Sequence, residues 1–131
     1  MQFLQEEIEI AKRLHELGLP WKPSVGNFVF DATDFCQQPS PFQTGVYFIL
    51  NYAYFMRLLG GLERFKENMI WLPTWDDIRS ILTDLGLTDD FVGNHIQETR
   101  AIEFGKERLV LYELAVATLE RNANRKSASV T

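Results

Sequence analysis

Gly45-Val46-Tyr47-Phe48-Ile49-Leu50-Asn51-Tyr52-Ala53-Tyr54-Phe55-Met56-Arg57-Leu58-Leu59-Gly60 is the stretch on which the fold turns. Its first half, Val46 to Leu50, is continuously apolar and rich in β-branched and aromatic residues, the make-up of a buried strand. Its second half, Tyr52 to Leu59, holds the helix formers Met56, Leu58 and Leu59, and Gly60-Gly61 supplies a stop. Strand followed by helix is the reading adopted.

Upstream, Gly26-Asn27 leads into Phe28-Val29-Phe30-Asp31, a short strand candidate. Downstream, Met69 to Leu72 reads as another strand, ended by Pro73. Thr74 is placed to N-cap a helix from Trp75 to Leu85 that Gly86 closes. Residues 2–17 form a first helix on the stripe Leu4, Ile8, Ala11 and Leu14. Glu6, Glu7 and Glu9 sit at its positive end, with Gly18 as its C′ residue. Leu62 to Asn68 is a helical turn or a loop, and a short helix falls around Asp90 to Gln97. The last helix runs from about Glu103 to Arg121. Ala32 to Thr44 is a loop whose Phe35, Cys36 and Phe42 lie against the core. The fold expected is a single α+β domain over 1–121. Its small sheet, from about residues 27–31, 46–50 and 69–72, is covered by the first, middle and last helices. Strand order is open, because the connection lengths allow more than one topology. Residues 122–131 read as a flexible basic tail.

Composition narrows the function classes. At 131 residues the chain is long enough to bury one core. Nine of its seventeen aromatics fall between Phe28 and Phe55, so that stretch must be mostly buried. Net charge is −5, and all eighteen acids lie at or before Glu120, against ten of the thirteen Lys and Arg. An acidic body repels phosphate backbones and disfavours nucleic acid as a partner. One cysteine, Cys36, excludes an intramolecular disulfide. The longest apolar run, Val46 to Leu59, is broken by Asn51 and Arg57 and falls short of the ~20 residues that span a bilayer. Met1 leads directly into an acidic amphipathic segment rather than a signal peptide. The cytoplasm is the expected compartment, with no membrane association.

No motif for chemistry rises above its structural explanation. Thr74-Trp75-Asp76-Asp77 is explained by capping: Thr74 caps, Asp77 reaches back, and Asp76 suits the helix dipole. Asp31 and Asp34 suit Asx turns better than a cation site. His15 and His95 with a single Cys36 lack the ligand set of a zinc site. Cys36 in an aromatic neighbourhood reads as a small buried hydrophobe rather than a nucleophile. Neither a phosphate-binding glycine loop nor a nucleophile elbow occurs, so no catalytic residue, cofactor or metal is assigned. Trp21, Trp71 and Trp75 are the best candidates for a recognition surface, although tryptophans at loop edges more often close small cores. In the last helix, Leu109 to Leu119 is apolar on more than one face. That makes it either a central helix or one shared with a second subunit.

Trp71-Leu72-Pro73-Thr74-Trp75-Asp76-Asp77-Ile78 resembles the W-L-P-x-x-[DE]-[QD]-[LI] segment of a family of small bacterial proteins of unknown function. The upstream Trp21-Lys22-Pro23-Ser24-Val25-Gly26-Asn27 is similar to a second short stretch of some members. Asn27 here replaces the commoner Asp, and Asp77 the commoner Gln. The resemblance implies a small mixed α/β domain in a bacterial cell and implies no activity.

Two function classes remain. One is a non-enzymatic interaction or regulatory module, with a protein partner or self-association through the C-terminal helix. The other is a small-ligand binder or enzyme with an aromatic- and acid-lined pocket. The candidate surface for either is Trp21, Asp31, Tyr47, Trp71, Trp75 and Asp76.

Overall fold

The computed structural model describes residues 2–36, 40 and 43–129, with side chains to residue 125. The expectation that Phe42 lies against the core falls outside these residues. Three strands, β1 (Phe28–Asp31), β2 (Val46–Phe48) and β3 (Met69–Leu72), form an antiparallel sheet of order β2-β1-β3. Both pairings start from Phe28, which faces Phe48 on one side and Leu72 on the other. The chain is thus an α+β domain, as its sequence indicates.

Side-chain alternation divides this sheet into two faces. Phe28, Phe30, Val46, Phe48, Ile70 and Leu72 belong to the larger core. That core is completed by α1 (Gln5–Glu16), α4 (Trp75–Asp84) and α7 (Glu107–Ser129). Val29 and Met69 point the other way, into a smaller core with Cys36, Ile49, Leu59 and Phe65. It is roofed by α2 (Tyr52–Leu59) and α3 (Leu62–Asn68). Two short helices, α5 (Asp89–Glu98) and α6 (Ala101–Phe104), link α4 to α7.

Local chemistry sets most boundaries. Asn51 caps α2 by accepting the Tyr54 N–H at 3.0 Å. Thr74 caps α4: its hydroxyl accepts the Asp77 N–H at 3.2 Å, and the Asp77 carboxylate accepts the Thr74 N–H at 3.0 Å. Gly45 is required twice over. Its φ is +82°, and a Cβ there would stand 2.7 Å from the Phe30 ring.

Two elements depart from expectation, and a third takes one of the two forms read for it. β2 ends at Phe48 rather than Leu50, because the Ile49 N–H and C=O bond to Asn27 and Gly26 just outside the ladder. Residues 62–68 form a helix, anchored by the fully buried Phe65. The last helix is split: Gly105, at φ +64°, ends α6, and α7 starts afresh at Glu107. It then continues to Ser129, eight residues past Arg121. No Gly or Pro follows Gly105, and Ala, Arg and Lys are good helix formers, so nothing halts the helix there.

Candidate functional site

The two motif islands of the sequence meet in space. Trp21 and Trp71 stack with ring centroids 5.7 Å apart and planes 5° from parallel, and Phe65 packs on Trp21 at 5.6 Å. Asn27 holds the arrangement by accepting from the Trp21 indole at 3.1 Å and from the Ser24 N–H at 2.9 Å. The Trp71 indole N–H is buried without a hydrogen-bond partner among the described residues. A cavity of about 20 Å³ between Trp21, Trp71, His15 and Leu19 has room for about one water. Nothing larger than that fits there.

Asp31 and Tyr47 lie on the same sheet face, beside Cys36. Asp31 is 7 % exposed; its Oδ2 accepts the Cys36 N–H at 2.5 Å, and its Oδ1 has no hydrogen-bond partner among the described residues. Tyr47 donates its hydroxyl to the Cys36 carbonyl at 3.4 Å. Burial pushes the Cys36 thiol up to about 11, helped by the Asp31 charge and a thiol–carboxylate hydrogen bond. The same causes, burial first and then Cys36, Asp31 and Asp34, raise Tyr47. A thiol held this firmly protonated is a poor nucleophile at neutral pH. Among the described residues, no group of three His, Cys, Asp or Glu is placed to hold a metal. No described helix is long and apolar enough to cross a membrane.

Trp75 and Asp76 stand apart from these four residues. Asp76 is exposed in the first turn of α4. Trp75, 41 % exposed, belongs to neither core and forms one wall of a cavity of about 610 Å³. The other walls are Leu4 from the start of α1 and Ile102 and Leu109 from α6 and α7. Its floor is an ion pair that sequence reasoning missed. Glu7, 2 % exposed, takes Arg108 Nε on Oε2 and Arg108 Nη2 on Oε1 at 3.0 Å, and also accepts the Leu4 N–H at 2.8 Å. Arg108 further donates to the Gln2 carbonyl at 2.7 Å and lies 4.3 Å from the Phe3 ring centroid.

A signal for this pair existed. Phe3, Glu7, Ala11 and Leu14 follow one helical stripe, and so do Arg108, Leu111, Tyr112 and Ala115. Each stripe carries one charge of opposite sign. The dipole explanation of Glu7 hid it. Above the pair, Tyr112 donates its hydroxyl to the Pro73 carbonyl, which ties α7 to the Trp-Leu-Pro turn. Burial raises the Tyr112 pKa well above its usual value.

The third surface is α2 itself. Only Leu59 is buried, with Phe55 and Met56 half-buried. Leu58 is 42 % exposed and Leu50, just before the cap, 74 %. Tyr52, Tyr54 and Leu62 are exposed as well. The Gly26 N–H bonds to the Ile49 carbonyl at 2.9 Å, which brings exposed Val25 beside Leu50. Comparison with protein-family models, with curated proteins and with solved structures returns no match.

Proposed function

We propose that the protein is a non-enzymatic interaction module that works as a homodimer, with the α2 face as its contact. One observation carries the reading: α2 has a single charged residue, Arg57, and yet only Leu59 of its eight residues is buried. A helix apolar on nearly all sides is normally buried. A contiguous apolar patch rimmed by polar residues marks a contact surface.

A second copy fits this face by charge as well as by apolarity. Arg57 and Glu63 are both exposed at its rim, and neither has an ion-pair partner among the described residues. Across a two-fold axis, residue i of one protomer meets j of the other and the reverse, so one cation and one anion suffice for two cross-pairs. Self-association through α7 has less to offer, since Leu109, Leu111, Tyr112, Leu114 and Ala115 are already buried within the chain. The net charge of −5 favours a protein over a nucleic acid as partner. A reducing compartment suits the lone free Cys36, and the likeness to small bacterial proteins suits a bacterial cytoplasm.

Sedimentation equilibrium over a range of concentrations tests the reading. The expected result is a mass that rises towards that of a dimer, and a Leu58→Glu variant that stays monomeric. A wild-type protein that is monomeric throughout overturns it.

A further inference from the structure

We propose that the groove between the start of α1, the first turn of α4 and the α6–α7 corner binds a small carboxylic acid with a flat or branched apolar body. Its volume, about 610 Å³, lies within the ~300–1,000 Å³ of small-molecule sites. The walls are apolar, and folding does not account for the exposure of Leu4, Trp75 and Ile102. α4 packs into the core through Ile78, Ile81 and Leu82, which leaves Trp75 unused by either core. Ile102 is 71 % exposed on a helix of one turn. Leu4 and Leu109 complete a slot with an aromatic side and an aliphatic side.

The polar end of the groove sets the sign of the ligand. The Arg108 guanidinium is fixed before anything binds: Nε and Nη2 are held by Glu7 and the Gln2 carbonyl, and its plane lies over Phe3. Its Nη1 has no hydrogen-bond partner among the described residues and is left to donate. A donor held in place loses little entropy when it binds, and a guanidinium–carboxylate hydrogen bond is among the stronger ones. Lys106, exposed at the rim, has no ion-pair partner among the described residues. Of the two acids that line the groove, Glu7 has both oxygens engaged. Glu107 is the other. A carboxylate at the Arg108 Nη1 is drawn by Arg108 and Lys106 and opposed by Glu107, so the preference for an acid over an amine rests on the hydrogen bond that Nη1 can donate.

The test is a titration of isotope-labelled protein, followed by two-dimensional NMR, with indole-3-acetate, 3-phenylpropionate and octanoate. Tryptamine serves as the cationic counterpart. Saturable shifts are expected at Gly105, Lys106, Arg108 and the Trp75 indole for at least one acid, with tryptamine weaker by on the order of tenfold. Ile102→Asp and Lys106→Glu, both at exposed positions, are each expected to weaken that acid by on the order of tenfold, while Phe91→Asp, exposed on α5 outside the groove, leaves it unchanged. The absence of saturable binding by all three acids overturns the proposal. So does tryptamine binding equally well, and so does affinity indifferent to both groove variants.

Discussion

α7 and α2 both carry apolar residues on nearly every side, and they end in opposite surroundings. From Leu109 to Leu119, α7 lies against α1, α4 and the sheet, and Leu111, Tyr112 and Ala115 are fully buried. α2 has the sheet and α3 beneath it and nothing described above it, so Leu59 is buried while its neighbour Leu58 stays exposed. Composition alone would have placed both inside. The number of elements the fold stacks on each sheet face decides which one is covered. On one face lie α1, α4 and α7, of twelve, ten and twenty-three residues, with Val92 of α5; on the other, a pair of helices of eight and seven residues.

The sharpest way to break that contrast is to attack the charge pair that anchors α7. Arg108→Ala strands Glu7 in a buried position and is expected to cost about 3–5 kcal/mol in chemical denaturation. A cost under about 1 kcal/mol would show that the pair is effectively solvated and that α7 is not anchored as described. Next in size is Leu111→Ala, expected to cost about 2–5 kcal/mol through lost contacts and a cavity. The matching truncation on α2, Leu58→Ala, should change monomer stability by no more than about 0.5 kcal/mol at low protein concentration. If the two truncations cost the same, the contrast between the helices fails.

The smaller core answers to alkaline pH. The Cys36 thiol is raised from 9.0 to about 11 in the folded chain, so the folded state holds that proton more tightly than the unfolded state. This contribution is complete below about pH 9 and is lost as pH rises to about 11. Tyr47 and Tyr112 are shifted in the same direction, so their contributions fade in the same sense. Wild-type stability should therefore fall over this window. Cys36→Ala should reduce the fall by about 1–2 kcal/mol, measured as the difference in unfolding free energy between neutral and alkaline buffers. An identical decline in both proteins would mean that the thiol is not the group that titrates.

Much of the fold was legible from local signals. Thr74 with Asp77, Gly60 and Gly86 each mark a boundary through backbone chemistry, and the structure follows them. Where the reading left alternatives open, the deciding force was not local. The helix over 62–68 forms around Phe65, whose burial depends on Trp21 and Phe55 arriving from elsewhere in the chain. The candidate surface was only partly legible. Trp21 and Trp71 do come together, with Asp31 and Tyr47 on the same side of the sheet, but the two rings pack against the two cores and leave room for about one water. Trp75 is the one member of the set at a cavity of ligand size, and its companions there, Glu7, Arg108 and Ile102, come from three different helices.

The sequence by itself determined the class of fold, the three strand segments, most helix boundaries and the acidic balance of the chain. Each depends on propensities, caps and periodicities that act within a few residues. Only the tertiary structure decided that β1 lies at the centre of the sheet, that Glu7 meets Arg108 across about a hundred residues, and that α2 is the apolar helix left uncovered. Those outcomes depend on which surfaces are brought together, and residues far apart in a chain carry no local sign of their future neighbours.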